Sequence, residues 1–425
     1  MQILCKTVKL KILICMIIII PHLAESQQSN NNSTLSITID EPVIVAQAEK
    51  ENIPWGIWQF PGIYPLGPDQ LEITFSKSID DAALESASKF NVPGVYHSNY
   101  EGKIWKQEET EYKNPYSSGN CLTRSGDIIF LQTPPPQDIL KSKLPEPVGL
   151  CDHGYDGVYM VRDPMKMPNE LEQWYLMRKP AGKDTWGKIP ATIVDPDGGV
   201  LCYDPPGKDY SVIYGQICTK LMEMNDGSLL SVFYAFRLGQ NRKPRPKWES
   251  YCLRSTDDGR TWKFYAIIGR DDSSQWAGFT EPTATILPNN WLLAALRTEM
   301  SRRGPLFTAF STDEGKIWSK PEIVYEFGVL PQLLTLKNGV TVLSFGRPGV
   351  HILFSCDGKG KKWENLTTLV SQTTNKIRTS GYTGLVATGS DKFIIVYDQF
   401  DYPDGNGLPR KTILIRNCKV SHVFR

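Results

Sequence analysis

Short apolar runs broken by Gly, Asn and Pro recur along this chain at a spacing of roughly 35–50 residues, the range of repeat architectures. Each unit reads alike: an apolar strand, a turn with Gly or Asn, a second β-run, then a third strand ending in a polar turn. Phe60 to Gln107 is the first such unit, and Asn120 to Pro190 the second, carrying a Pro-rich insertion from Thr133 to Pro147. Leu221 to Phe264, Glu281 to Pro321 and Pro331 to Leu366 follow, and the stretch from Gly381 onward fits a last unit. No segment has helical periodicity of useful length. The pattern predicts an all-β fold, a six-bladed β-propeller of four-stranded antiparallel blades. Thr34 to Ala46 is expected to close the ring on the last blade, which removes a free sheet edge. Tandem hairpins in a β-sandwich are the alternative, and the regular period argues against them.

The polar turns carry a motif. Ser255-Thr256-Asp257-Asp258-Gly259-Arg260-Thr261-Trp262 reads S-x-D-x-G-x-T-W, and Ser311-Thr312-Asp313-Glu314-Gly315-Lys316-Ile317-Trp318 repeats it. Ser355-Cys356-Asp357 opens a third copy, one residue longer before Trp363. Ser98 to Trp105 is a worn fourth, with Tyr100 in place of Asp. A carboxylate that gathers backbone N–H groups, a Gly at positive φ and a Trp plugging the adjacent seam form a self-contained turn. The motif resembles the Asp-box of the sialidase superfamily. In that family the box lies at the blade periphery and serves the fold.

Three further segments resemble the same family. Glu281-Pro-Thr-Ala-Thr-Ile-Leu-Pro-Asn-Asn-Trp-Leu-Leu-Ala-Ala-Leu-Arg297 is similar to its E-x-x-(apolar)-x-x-L-x-x-G-x-L-x-x-x-x-R pattern, with Asn290 where Gly is usual. Arg347, in Ser344-Phe345-Gly346-Arg347-Pro348, precedes its box as the third arginine of the sialidase triad does. Ser380-Gly381-Tyr382-Thr383-Gly384-Leu385 resembles the segment that carries the nucleophile, with Thr383 for Ser. The resemblance implies Tyr382 as nucleophile, Glu281 as its base, Arg297 and Arg347 as carboxylate clamps, and Asp80 or Asp81 as acid/base. It implies no metal and no cofactor.

Those residue types suit one chemistry. A sugar with a carboxylate on its anomeric carbon repels an anionic nucleophile, whereas a neutral Tyr can approach if a carboxylate takes its proton. Arginine forks hold the substrate carboxylate by paired hydrogen bonds. The first blade departs from the family: Gln59-Phe60-Pro61 stands where R-I-P is usual, so Gln59 replaces a charged fork at the substrate. Arg237, after Phe233-Tyr234-Ala235-Phe236, occupies the same blade position as Arg297 and is a compensating charge or an internal ion pair. The expected substrate is a terminal sialic acid or related acidic sugar on a glycan. The alternatives are a non-catalytic carbohydrate-binding propeller and another carbohydrate-active enzyme, a different glycosidase or a polysaccharide lyase, on the same scaffold.

Composition narrows the setting. A net charge of +1 over 425 residues gives no field that favours nucleic acid or an anionic membrane. Lys6, Lys9 and Lys11, the apolar run Ile12 to Ile20 and the small-x-small Ala24-Glu25-Ser26 read as a signal peptide over residues 1–26, leaving 27–425 as one exported propeller domain without a stable membrane span. Seven cysteines remain after residue 26, none in a C-x-x-C, so a zinc or redox centre has no support. His153 and His351 lack partners at metal spacing and read as structural. Asn31, Asn32 and Asn365 open N-x-S/T sequons.

Overall fold

The computed structural model describes residues 34–51, 53–67, 69–80, 93–99, 102–108, 118–152, 158–171, 173–272, 276–298, 304–372 and 376–423. The expected signal peptide, Asp81, Tyr100, Glu101, His153 and the first two sequons lie outside them. Among the described residues the regular structure is β-strand, interrupted only by single turns of 3₁₀-helix.

Three sheets are four-stranded meanders in chain order, spanning Gln59–Gln107, Phe279–Tyr325 and Val329–Val370. An eight-stranded sheet consists of two such quartets, one from Cys121–Leu122 to Gly187–Val194 and one from Ile217–Glu223 to Thr261–Gly269. They join through a short parallel pairing, Thr192↔Thr261 to Val194↔Lys263. The C-terminal sheet holds Thr383–Ala387, Lys392–Pro403 and Pro409–Val423. Its last strand pairs with both Thr34–Ile39 and Val43–Gln47, so the start of the described chain does close on its end.

One expectation needs correction. The insertion in the second unit is not confined to Thr133–Pro147. Gln137–Leu140, Gly149–Asp152 and Val158–Arg162 combine with Val200–Tyr203 and Tyr210–Gly215 into a separate five-stranded sheet. Three of its strands lie between the second and third strands of the first quartet and two lie between the quartets, which is why the repeat spacing concealed it.

Successive sheets pack face to face through apolar clusters. Leu230 and Val232 meet Ala294 and Leu296, Leu293 and Leu306 meet Leu343 and Phe345, and Ile73 and Phe75 meet Val396 and Ile415. The box turns seal the outer seams as the motif predicts. Asp257 Oδ1 accepts from Thr261 N at 2.8 Å and from Ser255 Oγ at 2.8 Å, Gly259 sits at φ +81°, and Trp262 Nε1 donates to Gly259 O at 2.9 Å. Asp313 repeats this with Ile317 N and Ser311 Oγ. Asp357 gathers four amides, from Lys359, Gly360, Lys361 and Lys362, which accounts for the extra residue in its turn.

A second repeat lies at the opposite end of the sheets. The first strands of the three meanders each skip two residues in register: Phe60-Pro61, Glu281-Pro282 and Leu330-Pro331. The residue before each Pro has positive φ, at 60°, 43° and 36°. Such a conformation costs about 1–3 kcal/mol for a non-Gly residue. Bulges of this kind re-aim side chains, and one of the three carries Glu281.

Candidate active site

Glu281 projects from the bulge at the start of Phe279–Ile286, and Arg297 lies near the end of the partner strand Leu292–Thr298, with Thr280 opposite Arg297 in register. The hairpin brings the two together as the spacing predicts: Arg297 Nη1 donates to Glu281 Oε1 at 2.8 Å. Leu330 N, from the neighbouring bulge, donates to Oε2 at 2.8 Å. Tyr382, about a hundred residues on, donates its hydroxyl to Glu281 Oε1. Both oxygens of a carboxylate only 8% exposed are therefore satisfied.

The electrostatics set these groups apart. Burial opposes the charge on Glu281, but Arg297, the Tyr382 hydroxyl and the Leu330 amide outweigh it and hold the carboxyl below its ordinary value. Burial first, and then the Glu281 charge, push the Tyr382 phenol well above its ordinary range. Tyr382 thus rests neutral with its proton facing an ionised acceptor, the arrangement a tyrosine nucleophile requires.

Arg347 follows its strand, Thr341–Gly346, at φ +55°. Its Nε donates to Ser380 O at 3.0 Å, and its guanidinium carbon lies 5.5 Å from the Trp55 ring centre and 5.6 Å from that of Tyr382. Among the described residues no carboxylate pairs with it, which leaves its outer N–H groups available to an anionic ligand. Trp55 in turn donates Nε1 to Asp80 Oδ2 at 3.0 Å, which ties the exposed Asp80 to the edge of the site. Phe60 packs on Tyr382 with ring centres 4.8 Å apart, and Trp55 meets Phe60 and Phe400 edge-on at 5.9 Å.

Two expected ligand contacts fall elsewhere. Gln59 is 0% exposed, and its Oε1 accepts from Gly56 N at 3.0 Å, so its amide is enclosed by its own loop and not offered to a substrate. Arg237 is committed to Asp195 through bonds of 2.6 and 2.8 Å and stands over the Tyr251 and Phe264 rings. It is an internal ion pair, the plainer of its two readings. His351 is structural too, bonded to Thr368 Oγ1 and Pro348 O. Among the described residues no three His, Cys, Asp or Glu side chains gather at metal-binding geometry.

The residues that motif reasoning missed are Trp55, Phe60, Leu330 and Asp398. For Phe60 and Leu330 the signal was in the sequence, because Phe60-Pro61, Glu281-Pro282 and Leu330-Pro331 recur at the same point of three units.

Comparison with known proteins bears on the fold. The model of the BNR repeat-like domain matches residues 207–409. The fold resembles a protein of unknown function from Dyadobacter fermentans, at 18% identity and TM-score 0.63, covering 91% of this chain and 99% of that one. It also resembles a Hadza microbial sialidase, at 15% identity and TM-score 0.52, covering 85% of this chain but 65% of that chain. A third likeness is to a mutant NanB sialidase from Streptococcus pneumoniae, at 13% identity and TM-score 0.50, covering 89% and 70%. No curated protein matches the sequence significantly. Residues 207–409 thus match a BNR repeat-like domain, and the fold of the chain is similar to that of BNR-repeat sialidases.

Proposed function

We propose that this chain is an exported six-bladed propeller glycosidase of sialidase type, which removes a terminal sialic acid or related acidic sugar from glycans. The three meanders, the two quartets of the eight-stranded sheet and the C-terminal sheet would be the blades. The observation that carries the reading is the hydroxyl of Tyr382 donating to Glu281, itself paired with Arg297.

In the first step Tyr382 Oη attacks the anomeric carbon as its proton passes to Glu281 Oε1. The bond to the leaving oxygen breaks while Asp80 or Asp81 protonates that oxygen. In the second step the same Asp takes a proton from water, which attacks the anomeric carbon. The tyrosyl oxygen leaves and recovers its proton from Glu281, so the sugar is released with retained configuration. Arg347 and Arg297 hold the sugar carboxylate, and Trp55 and Phe60 wall the side where a further charge was expected.

That wall favours a second choice of sugar. With Gln59 enclosed and Arg297 neutralised by Glu281, Arg347 is the guanidinium among the described residues left to face the ligand, so an acidic sugar other than sialic acid is the alternative substrate. The test is release of the aryl group from an aryl α-sialoside and from an aryl uronide, by the mature protein and by Tyr382→Phe. Turnover of the sialoside that collapses in the variant supports the first reading. Turnover of the uronide alone supports the second. No turnover of either rejects the catalytic proposal in favour of a glycan-binding propeller.

A further inference from the structure

We propose that Asp398 is a positioning residue that sets the Tyr382 loop and the Phe60 loop in register with each other. The inference rests on the glycosidase reading above. Asp398 lies in Lys392–Pro403, the 12-residue second strand of the C-terminal sheet, and is 0% exposed. Its Oδ1 accepts from Thr379 Oγ1 at 2.8 Å and from Ser380 N at 2.7 Å. Its Oδ2 accepts from Phe60 N at 3.1 Å and from the Ser380 hydroxyl. Four donors thus converge on one enclosed carboxylate, and they come from segments more than 300 residues apart.

Each donor leads to the site. Ser380 Oγ accepts from Tyr382 N at 3.2 Å, and Ser380 O accepts from Arg347 Nε at 3.0 Å. Phe60 packs on the Tyr382 ring. One carboxylate therefore fixes the backbone before the nucleophile, the anchor of Arg347 and the aromatic wall. The same strand and its partner reinforce the frame. Phe400 N donates to Arg378 O at 2.8 Å, Arg378 is forked onto Asp401, and Lys411 Nζ donates to Pro54 O and Ile57 O on either side of Trp55.

Only a carboxylate fits this place. It offers about four lone-pair sites and no proton, whereas an Asn has one acceptor oxygen and turns an NH₂ toward N–H and O–H donors. Asp398→Asn should therefore loosen both loops while leaving the sheet intact. A displacement of about 1 Å at a reacting atom costs about 100-fold in rate.

The experiment is a double-mutant cycle of Asp398→Asn with Tyr382→Phe, with Ser380→Ala as a milder second probe in case the first folds poorly. Turnover of the aryl glycoside is measured for each variant, with near- and far-ultraviolet circular dichroism. We expect Asp398→Asn to lower turnover about 100-fold and to alter the near-ultraviolet aromatic signal with the far-ultraviolet spectrum intact. In the Tyr382→Phe background it should have little further effect, because it acts through Tyr382. Ser380→Ala should shift both readouts in the same direction, less far. Wild-type turnover in Asp398→Asn, or an equal loss in both backgrounds, overturns the proposal. If the parent protein has no turnover, the glycosidase reading fails separately. An unchanged near-ultraviolet spectrum on Asp398→Asn then overturns the positioning role, and an altered one upholds it.

Discussion

Arg237 and Asp195 form a buried pair: two hydrogen bonds of 2.6 and 2.8 Å join them, the side chains are 4% and 0% exposed, and Glu249 lies 4.0 Å from the Arg237 Nε. Arg297 and Glu281 look similar by position, yet they share only one bond, and Glu281 also accepts from Tyr382. The first pair is spent within the fold and the second is open to chemistry. Arg237→Ala leaves Asp195 buried without its counter-charge and should cost about 3–5 kcal/mol of stability. Arg237→Met combined with Asp195→Leu should recover most of that loss. Denaturant unfolding of both variants checks this, and full stability of the single variant would show that the pair is dispensable.

Glu281→Gln preserves the shape of the side chain but removes the proton acceptor for Tyr382. Turnover should fall by about 10²–10⁴-fold, the span of general-base contributions. The amide also turns an N–H toward Arg297 or Leu330, so a modest loss of stability should accompany it. Steady-state kinetics at the pH optimum, with the unfolding midpoint alongside, separates the two effects.

Arg347→Gln should raise KM by about 10–100-fold, equivalent to one charge-assisted hydrogen bond of about 1.5–3 kcal/mol. Its anchor is the Ser380 carbonyl and not a carboxylate, so no buried charge is orphaned by the change. The folded state should be little affected. A fall in kcat with unchanged KM would mean that Arg347 acts only in the transition state.

The box turns make stability depend on acid pH. Amides and hydroxyls hold the carboxyls of Asp257, Asp313 and Asp357 below their ordinary 3.8, with Asp257 at about 2. A depressed carboxylate contributes stability that is complete above the unfolded pKa and lost as pH falls through the folded one. Unfolding midpoints should therefore decline from just above pH 4 towards pH 2. Replacing all three by Asn should lower stability at neutral pH and flatten that slope.

The tryptophans of the boxes should not be equivalent. Trp262 is 0% exposed and packs among Leu176, Leu221 and Phe233, whereas Trp318 is only partly buried. Trp262→Ala should cost about 3–5 kcal/mol, and Trp318→Ala clearly less. Equal losses would mean that the turn hydrogen bond to Gly O, common to both, matters more than the packing.

What could be read from the sequence followed the range of the interactions. The box is legible because Asp257 binds groups within four residues of itself, so spacing alone specifies the geometry. Glu281 and Arg297 were legible because a hairpin converts a sequence gap into a register. The environment of Gln59 was not, because its enclosure depends on a loop fold around Gly56 that no motif encodes. Arg237 was ambiguous because its partner Asp195 lies at the end of another quartet, and Asp398 went unnoticed because its ligands come from two distant loops. The five-stranded sheet escaped because its strands enter from two separate stretches of chain.

The pairing of Thr34–Ile39 with the end of Pro409–Val423 has a temporal consequence. Thr34–Ile39 meets its partner only when residues 418–423 have been synthesised. At about 5–20 residues per second, synthesis of the intervening chain occupies tens of seconds. During that interval Thr34–Ile39 is without its native partner. A product truncated shortly before residue 418 would lose the Thr34–Ile39 pairing and hold its N-terminal segment through Val43–Gln47 alone.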